Sequence, residues 1–434
     1  MTHTPASEDL IDSSYAAWRL LRTLCLVTLG SSSMYVVSVV LPPVQAEFGL
    51  SRANASLPYT MMMICFGVGG VWAGKWADRF GISTVLWMGS AAITAGFVLA
   101  GMAPNIWVFI LAHGLLLGLL GSASTFSPLL ADTSLWWSKR RGLAVAICAC
   151  GNYVAGAVWP PIAQWGIETF GWRQTYTCMG LFCGFCMALL AFTMRQRPPL
   201  VSHPKACTGD GEGHAHGSAA ASTPYALSHP FGLSLGRAQI LLCIAGVACC
   251  VAMSMPQVHI VAYCADLGYG TAKGAQMLSV MLTCGIISRL ISGWICDRIG
   301  GVSTLLLGSA LQGLALLLFL PFDGMVSLYI ISGLFGLFQG GIVPSYAIIV
   351  REHFPPQETS ARVGSVIMAT LLGMALGGWM SGKIFDLTGS YQAAFINGLA
   401  WNLLNLSISG WLFWRVRLQQ QGMTSSLGSF IGRK

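Results

Sequence analysis

Long apolar runs, separated by short polar segments, divide this chain into predicted helices. Each run is about 20 residues long, which is the length an α-helix needs to cross roughly 30 Å of hydrocarbon. The alternating segments of about 10 residues that a membrane β-barrel requires are not seen. The pattern predicts an all-α membrane protein with twelve spans, approximately at 20–41, 56–74, 84–103, 107–130, 142–165, 175–194, 238–262, 275–295, 303–321, 327–350, 362–385 and 392–414.

A long polar gap follows the sixth predicted span. It is rich in proline, glycine and alanine and has no apolar periodicity, so it is predicted to be a flexible linker. The expected organisation is two pseudo-symmetric six-helix bundles, residues 1–194 and 237–434, joined by a cytoplasmic linker at 195–236.

Composition and charge agree with this interpretation. Hydrophobic residues make up 55% of the chain and charged residues 9%, against about 25% charged in a typical soluble domain. If both termini are cytoplasmic, most Lys and Arg residues, Arg19 included, lie on the inner side, and the outer side holds only Arg52, Arg173, Lys273 and Lys383. This bias predicts a multi-pass membrane protein with both termini inside, and the expected membrane is a cell membrane of the bacterial inner-membrane type. It explains the net charge of +8 without a nucleic-acid partner.

One phrase occurs twice. Gly74-Lys-Trp-Ala-Asp78-Arg79-Phe-Gly81 returns 219 positions later as Gly293-Trp-Ile-Cys-Asp297-Arg298-Ile-Gly300. The same offset pairs Glu47-Phe48-Gly49 with Asp266-Leu267-Gly268. Matches in one register without gaps indicate a duplicated unit.

Metal, cofactor and enzyme chemistry are not indicated. Most of the cysteines lie inside apolar spans, where they are expected to act as small hydrophobic residues. No Gly-x4-Gly-Lys-Ser/Thr motif for ATP is present. The potential metal ligands of the linker fit no defined site: His203, Cys207, Asp210, Glu212, His214 and His216. No cleavable signal is evident, and the chain is expected to act as a monomer without a bound cofactor or metal.

The doubled Gly-x-x-x-Asp-Arg-x-Gly phrase resembles the signature loop of the major facilitator superfamily. As in that family, it falls between predicted spans 2 and 3 and again between spans 8 and 9. The resemblance covers essentially the whole chain. It implies alternating access around a central site lined by spans 1, 4, 7 and 10.

Three further stretches are similar to the monocarboxylate and oxalate/formate carrier branch of that family. The resemblance implies that the span 8 arginine of this branch, which binds a substrate carboxylate, corresponds to Arg289. The stretches are Gly114-Leu-Leu-Leu-Gly118 with Trp136-Trp137-Ser-Lys139-Arg140-Arg141-Gly142-Leu143-Ala144, Gly151 and Gly156; Pro256-Gln257-Val-His259 with Tyr263 and Asp266-Leu-Gly268; and Ser288-Arg289-Leu-Ile-Ser-Gly293.

The sequence departs from that branch in its charged residues. Where the resemblance implies a lysine or aspartate, span 1 offers only Ser31, Ser32, Ser33, Tyr35 and Ser38. Gly285 stands one turn before Arg289, where an aspartate is implied, and Lys383 lies near the outer end of span 11 rather than within it. These departures weaken the case for proton coupling of the monocarboxylate type and for dicarboxylate selectivity.

Arg289 is the sharpest candidate for a binding residue. It lies eight residues before Asp297, hence about 12 Å from the loop along a helix. A guanidinium at membrane depth costs about 2.5–3.5 kcal/mol on insertion scales, so it is expected to face the protein interior or a wet cavity. Its planar fork suits a carboxylate. The alternative is an arginine that reaches the inner face or pairs with helix carbonyls.

Other polar residues in the spans are weaker candidates. His259, Tyr35, Asn152 and Gln339 are predicted to contribute to substrate binding, together with Tyr153 and Tyr346 as further residues along the path. If a proton is coupled, His259 and His113 are the obvious carriers, because histidine titrates near neutral pH. Each of these residues could equally satisfy a neighbouring helix.

The acids of the doubled phrase are predicted to act as gates, with Arg79 and Arg298 beside them. Asp78 is expected near the start of span 11 and Asp297 near the start of span 5, where helix N-termini favour an acid by about 0.3–1 kcal/mol. Such contacts would close the cytoplasmic side and stabilise an outward-open state.

The first functional hypothesis is a secondary transporter of a small organic anion, a monocarboxylate, with a coupled proton or counter-anion left open. The second is an exporter of amphipathic or aromatic compounds, since fifteen Trp and nineteen Met suit an adaptable apolar cavity. A third, a sensor that keeps the fold without transport, is disfavoured because the tails are short.

Overall fold

The structure is a computed structural model that describes residues 10–196, 230–355 and 358–431. Within these ranges the chain is helical and contains no β-strand. A π-helix occupies Ala112–Ser122, and a short 3-10 helix occupies Pro230–Gly232. The α-helices are α1 Ser14–Gly30, α2 Ser32–Phe48, α3 Arg52–Phe80, α4 Ile82–Gly101, α5 Ile106–Leu111, α6 Ala123–Trp136, α7 Arg141–Phe170, α8 Trp172–Thr193, α9 Leu235–Asp266, α10 Thr271–Ile299, α11 Gly301–Leu318, α12 Met325–Gln339, α13 Ile342–His353, α14 Thr359–Thr388 and α15 Tyr391–Ile431.

Eleven stretches of helix in the described ranges are long and apolar enough to cross a membrane. Each of the first eleven predicted spans overlaps one of them, and α1–α2, α5–α6 and α12–α13 each form a single stretch. The predicted twelfth span, 392–414, lies within α15, which is not one of the eleven. Most of the predicted linker, including its His and Cys residues, lies outside the described residues.

α3 begins before its predicted span because a polar side chain caps its first turn. The hydroxyl of Ser51 accepts a hydrogen bond from the N–H of Asn54 at 3.3 Å and caps α3, as serine commonly does. This cap begins α3 several residues before its apolar run.

Helix bounds recur at the offset found in the sequence. α3 begins at Arg52 and α10 at Thr271, 219 positions later, and α4 and α11 begin at Ile82 and Gly301 with the same offset. The glycines that end α3 and α10, Gly81 and Gly300, have φ of 87° and 81°, a region that favours glycine because it has no Cβ. The doubled phrase therefore forms the same helix ending twice.

Two long helix pairs connect the first and second parts of the chain. We call them the α3–α14 seam and the α7–α10 seam. The Arg52 end of the molecule is the end that carries Arg52, Asp266 and Asp386, and the Asp78 end is the opposite one, with Asp78 and Asp297.

Both seams are in contact at the Arg52 end and lose contact toward the Asp78 end. In the α3–α14 seam, a Cβ added at Gly67 would meet the Met368 sulfur at 2.6 Å, whereas one added at Gly74 or Gly364 would meet nothing within 4 Å. In the α7–α10 seam, one added at Gly293 would likewise meet nothing within 4 Å. The two seams thus part on the way to the Asp78 end.

Candidate substrate site

Arg289 lies in the α7–α10 seam, in the last zone where the two helices still touch. Its Nη1 donates to the carbonyl oxygen of Ala149 at 3.0 Å, and its Nε donates to the carbonyl oxygen of Gly340 at 3.4 Å. Its Cζ lies 4.3 Å from the centre of the Tyr153 ring, which is a cation–π distance. Among the described residues no carboxylate forms an ion pair with it. Arg289 therefore connects three helices through carbonyl and ring contacts alone.

The absence of a side chain at Gly285 makes room for the Tyr153 ring. A Cβ at Gly285 would lie 2.6 Å from both Cδ1 and Cε1 of Tyr153, closer than carbon atoms can pack. An aspartate could not occupy this position beside the ring. The Tyr153 ring of α7 therefore lies next to Arg289, in the place where the family resemblance implies an acid.

Tyr35 and Asn152 form a hydrogen-bonded pair between α2 and α7. The Tyr35 hydroxyl donates to Oδ1 of Asn152 at 2.6 Å, and Nδ2 of Asn152 donates to the Ser31 hydroxyl at 3.3 Å. Asn152 precedes Tyr153 and lies within one helical turn of Ala149, so α7 brings Tyr35, Asn152 and Arg289 into one region. The predicted group of these three residues is therefore assembled around a single turn of α7.

Gln339 lies at the end of α12, next to the carbonyl of Gly340 that accepts from Arg289. Its side chain is fully buried, and neither Nε2 nor Oε1 has a hydrogen-bond partner in the described structure. A buried amide without a partner costs about 1–3 kcal/mol per unsatisfied group. This buried amide, one residue from the carbonyl that Arg289 contacts, is a group able to bond a ligand.

The two candidate histidines lie elsewhere. His259 is fully buried, with Nε2 2.8 Å from the carbonyl oxygen of Gly378 and Nδ1 3.4 Å from the hydroxyl of Tyr391, near the Arg52 end. His113 is buried in the π-helix, with Nε2 3.3 Å from the hydroxyl of Tyr176. The structure does not bring either imidazole into contact with Arg289, and both rings have hydrogen-bond partners.

The predicted gating residues are at the Asp78 end. Asp78 and Asp297 are exposed, and neither carboxylate has a hydrogen bond or an ion pair among the described residues. The guanidinium of Arg79 lies over Phe80 at 5.2 Å and that of Arg298 over Trp294 at 3.8 Å. The expected contacts across the seams are not made in this arrangement, in which the Asp78 end is parted.

Tyr346, the last polar candidate for the path, is buried and donates to Oδ1 of Asn405 on α15 at 2.9 Å. Nδ2 of Asn405 in turn donates to the Ser309 hydroxyl on α11 at 2.7 Å. Tyr346 therefore joins a buried polar network between helices rather than the region around Arg289.

The charged network at the Arg52 end was not predicted from the sequence. Nη2 of Arg52 donates to both carboxylate oxygens of Asp266, at 2.9 and 2.8 Å. The backbone N–H groups of Arg52 and Ala53, at the start of α3, donate to the two oxygens of Asp386 on α14, at 2.7 and 2.8 Å. Helix N-termini attract carboxylates in this way. The signal that could have found it was the repeat itself, because the offset singles out Asp266.

A second ion pair, between Arg19 and Asp132, was not predicted. Arg19 was expected only as one of the cations of the inner side. In the structure both are buried and joined by two hydrogen bonds of 3.0 Å, from Nε and from Nη2 of Arg19. The guanidinium also lies 4.4 Å from the centre of the Trp136 ring. Burial in the helix bundle requires this pairing, which no local pattern reveals.

Eleven helical stretches that are long and apolar enough to cross a membrane are typical of a multi-pass membrane protein. The family model of the Major Facilitator Superfamily matches residues 23–332 and 277–425. The chain belongs to this superfamily.

Curated relatives give the nearest functional context. The chain is 28% identical to Monocarboxylate transporter 13 of Rattus norvegicus over 326 residues, 74% of this chain and 71% of that protein. It is 25% identical to Monocarboxylate transporter 4 of Gallus gallus over 385 residues, 86% of this chain and 77% of that protein. The chain is thus homologous to monocarboxylate transporters, which confirms the resemblance found in the sequence.

Solved structures share the fold at low identity. A bacterial homolog of the human lysosomal transporter Spinster, inward-facing and unoccupied, superposes with a TM-score of 0.69 at 13% identity, over 94% of this chain and 98% of that one. The peptide transporter POT in complex with sulfate gives 0.70 at 12% identity, over 94% and 97%. These likenesses support a transporter fold.

Proposed function

We propose that this protein is a secondary active transporter that moves a small organic anion, a monocarboxylate, by alternating access, with Arg289 as the anchor for the carboxylate. The observation that carries the proposal is the state of Arg289. It lies where the α7–α10 seam parts, and its contacts there are two carbonyls and a ring, without an acid among the described residues. The homology to monocarboxylate transporters supports the substrate class.

The architecture that suits this function has twelve spans, with α15 as the last. They form two six-helix bundles, 1–194 and 237–434, each of two inverted three-helix repeats, joined by the linker at 195–236. The two seams are then the interfaces between the bundles. With both termini in the cytoplasm of a bacterial-type cell, the Arg52 end faces outward and is closed, and the protein works as a monomer.

In this cycle Asp78 and Asp297 act in the opposite state. When the Arg52 end opens and the Asp78 end closes, each acid can reach a helix start across a seam, where the positive end of the helix stabilises it. Arg79 and Arg298 lie beside them and complete the gate.

When the substrate binds, Arg289 exchanges its neutral partners for a charged carboxylate. A carboxylate can form two parallel hydrogen bonds with a guanidinium, and such charge-assisted bonds are roughly twice as strong as neutral ones. The Ala149 carbonyl and the buried Tyr153 ring carry no negative charge. The positive charge of Arg289 therefore stays uncompensated until the anion binds. Asn152 with Tyr35, and Gln339, supply donors and acceptors for the rest of the substrate.

The test is uptake of labelled monocarboxylates by purified protein in liposomes. Arg289→Gln keeps the size of the side chain and removes its charge, so uptake should fall by at least about 100-fold, as expected when an interaction worth about 3 kcal/mol with a charged group is lost. Lys273→Gln, which removes an exposed cation from the same helix, is the matched control and should keep uptake. Full uptake by Arg289→Gln would refute the anchor assignment.

The same liposome assay distinguishes the alternative function, export of amphipathic or aromatic compounds, from monocarboxylate transport. An exporter would move a lipophilic cation or a neutral aromatic dye and would tolerate Arg289→Gln. A monocarboxylate carrier would not move such dyes. A proton coupled through His259 or His113 is a separate prediction, tested by following vesicle pH during uptake.

A further inference from the structure

A cleft of about 340 Å³ opens at the Arg52 end, between the end of α2 and the end of α9. Its lining includes the apolar residues Pro42 and Leu50, the amide of Gln45, and both members of the Arg52–Asp266 ion pair. The cleft is therefore an accessible site beside a charged pair that holds the two parts of the chain together.

The Arg52–Asp266 pair does not use the full binding capacity of the arginine. Both carboxylate oxygens of Asp266 are bonded by the same nitrogen, Nη2. The Nε atom of Arg52 is buried and has no hydrogen-bond partner. A carboxylate in the fork arrangement would bond two nitrogens of the guanidinium. Asp266 thus occupies Arg52 in a geometry that another carboxylate can improve.

The two partners also differ in exposure. The Arg52 side chain is 8% exposed and that of Asp266 is 36% exposed. Rings of Phe385 and Tyr391 lie 5.0 and 5.9 Å from the guanidinium carbon and fix the arginine. Asp386, the other acid nearby, is bound by the backbone N–H groups of α3. The exchangeable partner is therefore Asp266.

We propose that this cleft receives the substrate anion, and that its carboxylate replaces Asp266 on Arg52. The proposal rests on the transport function proposed above and adds a second carboxylate site to it. Separating Arg52 from Asp266 without replacement would leave a nearly buried guanidinium unpaired, which is strongly unfavourable. Exchange of one carboxylate for another keeps the charge paired, so anion binding makes opening of the Arg52 end easier.

The experiment measures binding of benzoate to the purified full-length protein by titration calorimetry at constant ionic strength. In an Arg289→Gln background, which removes the first site, one benzoate should still bind. Adding Arg52→Gln should abolish this binding. Adding Asp266→Asn should instead strengthen it about tenfold, because the competing charge is gone.

Glu47→Gln is the matched control. Glu47 is the repeat counterpart of Asp266, 219 positions earlier, but it pairs with Arg173 at 2.6 Å. In the same background this variant should change benzoate affinity less than twofold. The predicted gain with Asp266→Asn cannot come from misfolding, so it tests the proposal even if Arg52→Gln fails to fold.

Unchanged or weaker benzoate binding with Asp266→Asn, or binding that survives Arg52→Gln, overturns the proposal. These results are distinct from failure of the transport function. If benzoate binds through Arg52 but no monocarboxylate is taken up, the proposed cleft site stands and the proposed transport function is refuted. If uptake depends on Arg289 but benzoate binding does not depend on Arg52, only the proposed cleft site is refuted.

Discussion

The α3–α14 and α7–α10 seams are repeat-related, yet they place their charges differently. Both use a hydroxyl at equivalent positions: Thr60 donates to the Ala375 carbonyl at 3.1 Å, and Ser279 donates to the Ala157 carbonyl. At the Arg52 end, the first seam is fastened by the carboxylate of Asp386 and the second by a neutral bond of 2.6 Å between Gln164 and Thr271. The second seam instead carries its charge, Arg289, where the helices part.

This difference separates two tasks that a carrier must perform. The exposed carboxylate of Asp386 can leave the N–H groups of α3 and be hydrated, which suits a latch at the end of the molecule. Arg289, by contrast, is held within an apolar span by carbonyls and a ring only, so its charge is not neutralised and it retains affinity for an anion. Under the proposed transport function, the α3–α14 seam therefore acts as the latch and the α7–α10 seam holds the central binding residue, Arg289.

The largest expected effect comes from wedging the binding seam apart. A Cβ at Gly156 would lie 1.9 Å from Cδ1 of Leu282 and 2.9 Å from two atoms of the Tyr35 ring. Gly156→Leu should therefore cost about 3 kcal/mol in the closed seam and reduce monocarboxylate uptake in liposomes on the order of 100-fold.

The control for Gly156→Leu is a second change that restores space. Leu282→Ala in the same protein removes the nearest atom, so part of the uptake should return. Equal loss with and without Leu282→Ala would mean that the seam does not need this close approach.

A smaller effect is expected from weakening the latch. Asp386→Asn removes the charge of the carboxylate that accepts hydrogen bonds from the N–H groups of Arg52 and Ala53. Hydrogen bonds to charged groups contribute about 1.5–3 kcal/mol. Hydrogen exchange at the start of α3 should accelerate about tenfold. Asp323→Asn, another acid at the same end, is the control and should not change exchange there. A protected α3 start in Asp386→Asn would count against the latch.

Part of the fold and of the candidate site could be predicted from the sequence. The apolar runs gave the first eleven candidate spans, and the 219-residue offset gave the equivalence of α3 with α10, because both depend on local pattern. Arg289 was found because a charge inside an apolar run is rare. Which group pairs with a charge is decided by the tertiary fold. Neither the ring of Tyr153 above Arg289 nor the carboxylate of Asp386 at the start of α3 follows from spacing along the chain.

A third prediction tests whether the ring orients the arginine. Tyr153→Leu removes a cation–π contact worth on the order of 1 kcal/mol, and the KM for monocarboxylate uptake should rise roughly fivefold. Tyr153→Phe keeps the aromatic face and should stay within about twofold of the original. If the two variants were equally impaired, the hydroxyl rather than the ring would be the active feature.

The smallest effect belongs to the Asp78 end, away from both seams. The carboxylate of Asp12 accepts hydrogen bonds from the Ser138 hydroxyl at 2.7 Å and from the N–H groups of Ser138 and Lys139 at 3.1 Å. The bond from the Ser138 hydroxyl, followed by the backbone bonds, holds the pKa of Asp12 below its usual value.

A lowered pKa in the folded state means that the contribution of Asp12 to stability is present above the unfolded pKa, about 3.9, and is lost as the pH falls through the folded pKa. The thermal midpoint of Asp12→Asn should therefore lie slightly below that of the original protein at pH 5–7, and the difference should vanish in stronger acid. Uptake near neutral pH should not change, because this carboxylate joins neither seam. A clear loss of uptake in Asp12→Asn would show that the Asp78 end contributes to transport even where the seams are parted, and it would break the division of tasks between the two seams.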